Sequence, residues 1–193
     1  MTLPAPGPDE ALIGVVVTVP VPHAGTLAAA RLASGDPEAR SIAPHVTLVG
    51  PVVVARDDLP AVDEHVAAVA RRHGPFVVHL RGTATFRPVS PVVFVALSRG
   101  IADCEQLERA IRCGPLDAPL RFPYHPHVTV AQDVADDALD SVEETLADYD
   151  GTFVASAIDR YINDDDGLWR PVRSFSLTGR ADQPGGVPAV CPG

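Results

Sequence analysis

The chain has 193 residues, of which 46% are hydrophobic and 21% charged, and a formal net charge of −10. That length suits one substantial domain or two small lobes sharing a core, and those fractions exclude global disorder. All 15 basic residues are Arg, and so acidic a chain lacks the broad basic face that long nucleic acids need, which confines any nucleic-acid role to an end or a small nucleotide.

Residues 1–10 and 180–193 are rich in Pro and Gly and have no apolar period, so they read as mobile tails around one bilobal domain at 11–179. The N-terminus has no basic leader region, and its apolar run is too short and too Pro-broken to cross a membrane, so a monomeric cytoplasmic protein is expected. A β-branched run at 13–19 predicts a strand, the Ala-rich stretch 24–33 a helix, and 45–54 a second strand. A helix over 57–73 follows, with Asp57 or Asp58 as N-cap and Gly74-Pro75 as its stop. Strands are expected at 76–80 and 83–86.

The order then restarts. "PVVFVALS" predicts a strand, and 101–112 a helix in which Ile101, Cys104, Leu107, Glu108 and Ile111 keep helical spacing. "HVTVAQ" predicts the next strand, 136–149 a helix, and the last apolar stretch a long hairpin turning around 163–167. Three cysteines, an odd number without metal-type spacing, imply neither a disulfide framework nor a zinc site.

"PHVTLVG" begins at Pro44 and "PHVTVAQ" at Pro126, which puts the two histidines 82 positions apart. With 7 His and 10 Thr, one His-x-Thr triplet is expected by chance about 0.4 times, and two copies of Pro-His-Val-Thr far more rarely. The motif holds the same place in approximate halves 11–90 and 91–179, so an internal duplication is the economical explanation. It predicts an α+β fold with two pseudo-symmetric lobes, each a largely antiparallel sheet with helices on its outer face. The two motif strands should meet across a central cleft.

In a strand, residues two apart share a face, so His45 and Thr47 point one way while Val46 and Leu48 point the other, and likewise His127 and Thr129 against Val128 and Val130. Two such pairs across a pseudo-twofold axis place two imidazoles and two hydroxyl donors around one centre. The hydroxyls suit the oxygens of a phosphate, and the imidazoles suit general acid–base catalysis, one removing a proton from the attacking oxygen and the other protonating the leaving one.

Two such motifs at this spacing, with "FPYHPHVTVAQ" in particular, resemble the 2H phosphoesterase superfamily and its bacterial RNA 2′,3′-cyclic phosphodiesterase and 2′-5′ RNA ligase-like branch, over residues 13–177. The resemblance implies a bilobal fold and attack on a cyclic phosphate or a 2′-5′ linkage, with no metal or other cofactor. An RNA end or a small cyclic nucleotide would be the substrate. It also implies that His45 and His127 are the acid–base pair and Thr47 and Thr129 the phosphate ligands. His127 would activate water while His45 protonates the departing oxygen.

Further substrate contacts are expected from the segment ahead of the second motif, where Tyr124 suits stacking on a base, Arg121 a phosphate, and His125 the same cleft as His127. Phe86, with Arg87, ends a strand as a weaker pair of the same type, and Trp169 reads as a packing residue. The acidic run at 164–167 reads as a turn, and His23, His65, His73 and His79 as scattered surface or packing residues. A histidine-triad nucleotide hydrolase would need a third histidine where Thr129 stands and would leave His45 without a role. A non-catalytic module binding nucleotides or RNA ends is the alternative from another class.

Overall fold

The computed structural model describes residues 3–117, 120 and 122–179, so Arg121 and the expected tail at 180–193 lie outside the described residues. The strands are β1 (Glu10–Thr18), β2 (His45–Ala55), β3 (Phe76–Thr85), β4 (Val92–Arg99), β5 (His127–Gln132), β6 (Asp150–Ala155), β7 (Ala157–Asn163) and β8 (Trp169–Ser176). The helices are α1 (His23–Ala33), α2 (Leu59–Arg72), α3 (Ile101–Ile111) and α4 (Asp136–Thr145). Two four-stranded antiparallel sheets result, ordered β2-β1-β7-β8 and β5-β4-β3-β6.

The fold is the expected α+β pair of antiparallel sheets, but the sheets do not follow the sequence halves. Strand β3 leaves the first half to pair with β4, and β7 returns from the second half to lie beside β1, carrying β8 on its outer edge. This exchange interlocks the lobes. The helices cross over too: α1 packs on β5 and α3 on β2, while β2 and β5 approach each other directly.

Strand period decides which face each residue meets. In β1, Ala11, Ile13, Val15 and Val17 enter the main core, whereas Leu12 and Val16 are also buried but lie outside that cluster, on the opposite face. Helix α2 sends Val62, Val66, Val69 and Ala70 into the same core at helical spacing, and α3 sends Cys104, Leu107 and Ile111. Burying the Cys104 thiol pushes its pKa up to about 12, so it is an inert core residue.

Some local expectations need correction. Asp58 precedes α2 but has helical backbone angles, and its carboxylate makes no capping bond; Arg56–Asp58 form a short 3-10 turn instead. The expected segments 76–80 and 83–86 merge into one strand, β3, which ends at Thr85 and is broken only by an irregular register, where Gly82 takes φ +64. A Cβ there would also approach the Ala147 carbonyl at 3.2 Å, so glycine alone suits the position. Helix α4 stops at Thr145, four residues early. Cys113 is disulfide-bonded, contrary to the reading without disulfides. The turn at 164–167 is as expected: Asp164 and Asp166 hold the Arg170 guanidinium, and Gly167 turns at φ +77.

Candidate active site

The motif strands carry the same burial pattern. Val46 and Leu48 on β2, and Val128 and Val130 on β5, are at most 1% exposed, while His45, Thr47, His127 and Thr129 are half-buried on the other face. Thr18 of β1 stands opposite His45 and Val16 opposite Thr47; on the second sheet, Ala96 of β4 stands opposite His127 and Phe94 opposite Thr129. Residues directly opposite in an antiparallel pair share a face, so these neighbours line the cleft with the motifs.

Both imidazoles are held alike. His45 Nδ1 lies 2.7 Å from the Ala43 carbonyl oxygen, and His127 Nδ1 lies 2.7 Å from the His125 carbonyl oxygen, in each case two residues upstream. A carbonyl only accepts, so Nδ1 carries the proton on both rings and donates it, and Nε2 is the atom left to exchange a proton with a ligand. Burial depresses both pKa values. His45 falls to about 4, mainly through desolvation and further through the nearby charges of Arg31 and His127; His127 is lowered by desolvation and by His125.

The two walls of the cleft differ. Around His127 the second sheet is aromatic: the Phe86 ring meets the imidazole edge-on at 5.0 Å, Phe94 lies at 5.0 Å, and the His125 ring stacks at 6.4 Å. Beside His45 the first sheet is polar. The Thr18 hydroxyl donates to Asp159 Oδ2 at 2.6 Å and lies 3.2 Å from the Tyr161 hydroxyl. The neighbour between them in β7, Arg160, points away and pairs with Asp63 of α2, which fixes Asp159 and Tyr161 on the cleft side.

Of the further candidates, His125 and Phe86 reach the His127 side. Tyr124 is half-buried and donates its hydroxyl to the Thr47 carbonyl oxygen at 2.9 Å, and burial pushes its phenol pKa up. Arg87 is drawn to α4, where its guanidinium binds Asp140 and Glu143. Trp169 packs over Gly14, with a ring carbon 3.6 Å from where a Cβ would stand. His23, His65, His73 and His79 each have a partner outside the motifs.

Phe94, Thr18, Asp159 and Tyr161 escaped the sequence reading. Strand period places each on one face of its own strand, but the pairing of Thr18 with Asp159 joins residues 141 positions apart. Arg31 and Asp36 were missed as well. The Asp36 carboxylate accepts from Arg31 Nε at 2.7 Å and from the Gln132 main-chain N–H at 3.1 Å, joining the end of α1 to the end of β5. Among the described residues no group of three or more His, Cys, Asp or Glu side chains could hold a metal ion, and no helix is long and apolar enough to cross a membrane.

Residues 19–167 match the model of the 2′-5′ RNA ligase superfamily. The chain belongs to that superfamily. It is 29% identical over 145 residues to a Bacillus licheniformis protein named as a phosphoesterase, covering 74% of this chain and 85% of the relative. The Escherichia coli LigT structure complexed with NADP+ superposes with a TM-score of 0.65 at 18% identity, over 88% of this chain and 99% of LigT. LigT complexed with 3′-AMP gives 0.63 at 15% identity, over the same shares of the two chains. As a member of the 2′-5′ RNA ligase superfamily the chain is a phosphoesterase by family, and its two antiparallel sheets have the LigT fold.

Proposed function

We propose that this superfamily member hydrolyses 2′,3′-cyclic phosphates, at an RNA end or on a small nucleotide, to 2′-phosphates without a metal ion. The observation that carries the reading is the matched pair of imidazoles, each with Nδ1–H donated to a carbonyl two residues upstream and Nε2 left for the ligand. A phosphate held by the Thr47 and Thr129 hydroxyls would lie between them. His127 Nε2 takes a proton from water as the water oxygen bonds to phosphorus. The bond from phosphorus to O3′ breaks in line with that attack, and protonated His45 delivers its Nε2 proton to O3′.

Both rings are neutral in the free protein near pH 7, because burial disfavours the imidazolium. The bound phosphate anion reverses this locally and favours protonation of one ring, so the acid is made by the substrate it serves. His125 and Phe86 flank the ligand on the His127 side, and Tyr124 positions Thr47 from behind. With a ribose 5′-hydroxyl in place of water, the same displacement, with the bond from phosphorus to O3′ again breaking and O3′ taking the proton, would form a 2′-5′ linkage.

The test is the product. Cytidine 2′,3′-cyclic phosphate incubated with the protein in EDTA should yield cytidine 2′-phosphate, identified by phosphorus NMR. A 3′-phosphate product would mean that the other ester bond breaks, and absence of turnover would refute the activity.

A further inference from the structure

The cleft beside His45 holds a directed hydrogen-bond chain that catalysis does not use. A carboxylate only accepts, so the Thr18 hydroxyl gives its proton to Asp159 Oδ2 at 2.6 Å. Thr18 Oγ1 then has only lone pairs left for the Tyr161 hydroxyl at 3.2 Å, so Tyr161 donates to Thr18. The whole chain points at Asp159 and locks its carboxylate, leaving Oδ1 with no hydrogen bond among the described residues.

Its position suits a nucleoside. Asp159 stands opposite Val16, and Val16 stands opposite Thr47, so the carboxylate lies two strands from the phosphate ligand on the same face. At ordinary strand spacing that is about 10 Å, the span from a ribose phosphate to the edge of its base. In-line displacement with His45 as the acid places the departing ribose oxygen, and the nucleoside attached to it, on the His45 side. That step rests on the proposed function. A fixed carboxylate beside an anionic substrate is repulsive unless it accepts a proton donor from a neutral part of the ligand.

We propose that Asp159, oriented by Thr18 and Tyr161, forms a base-reading subsite that accepts a hydrogen bond from the amino group of the nucleobase carrying the phosphate. Cytosine offers such an amino group at C4, whereas uracil offers a carbonyl oxygen there, which the carboxylate repels.

The test is the ratio of affinities for cytidine 2′-monophosphate and uridine 2′-monophosphate, measured by calorimetry on the wild type, Asp159→Asn and Thr18→Val. The wild type should favour cytidine by about tenfold or more, the value of one hydrogen bond to a charged acceptor. Asp159→Asn presents an amide N–H in place of the acceptor, so the ratio should fall to one or below, and Thr18→Val should reduce it partway. A wild-type ratio near one, or a ratio kept by Asp159→Asn, would overturn the subsite. General damage to the fold weakens both nucleotides alike and leaves the ratio intact, so that outcome also counts against it. Because the readout is binding, the subsite is judged separately from whether the cyclic phosphates are turned over.

Discussion

The Tyr124 hydroxyl donates to the main-chain carbonyl oxygen of Thr47 across 2.9 Å, so the segment leading into the second motif holds the first motif in place. Tyr124 also packs against the main core, which makes the bond a half-buried one. Tyr124→Phe keeps the packing and removes the donor. It should lower stability in urea unfolding by about 1 kcal/mol and weaken inorganic phosphate binding severalfold, since Thr47 loses its brace. Unchanged phosphate affinity would show that the bond does not position Thr47.

In the proposed mechanism the two depressed histidines set the pH dependence. The reactive state needs one imidazole protonated and the other neutral, so kcat/KM falls below the lower apparent pKa, where the base is protonated, and above the higher one, where the acid is lost. His45 is lowered to about 4 and His127 is also lowered, which puts both limbs below the ordinary value of about 6.5. The kcat/KM optimum should therefore be acidic. The bound anion raises the pKa values, so the kcat profile should be displaced to higher pH. Initial rates across the acidic and neutral range check this, and a kcat/KM maximum above neutrality would contradict it.

Asp36 is the hub that joins the end of α1 to β5. Its side chain is fully buried and accepts from Arg31 Nε at 2.7 Å, the Glu38 N–H at 2.7 Å and the Gln132 N–H at 3.1 Å. Asp36→Ala leaves the Arg31 guanidinium buried without its carboxylate and two main-chain donors unpaired, and should cost about 3–5 kcal/mol in chemical denaturation. Asp36→Asn, which keeps an acceptor, should cost less. Equal stability of all three proteins would mean that the network contributes nothing.

The motif strands were legible because their signal is local. A period of two in His45 to Leu48 and in His127 to Val130 already sorts the cleft face from the anchoring face, and the burial of Val46, Leu48, Val128 and Val130 matches it. The bracing role of Tyr124 was not legible because an aromatic ahead of a motif looks the same whether it stacks on a ligand or braces a strand; the contact with Thr47 is visible only in the fold. The exchange of β3 and β7 between sheets was invisible for a different reason. Strand pairing depends on register across the whole chain, and nothing in the sequence near Asp159 announces that β7 lies beside β1. Hence the aromatic wall around His127 was seen in part, through Phe86 and His125, while the polar wall beside His45 was missed.

The central claim is that His45 and His127 work as one acid–base pair without a metal. Turnover of cytidine 2′,3′-cyclic phosphate in EDTA, measured for the wild type, His45→Ala and His127→Ala, tests it most directly. The wild type should remain active in the chelator, and each substitution should lower kcat by about 100-fold or more while nucleotide binding survives. Loss of wild-type activity in EDTA, or a full rate from either histidine variant, would contradict the account.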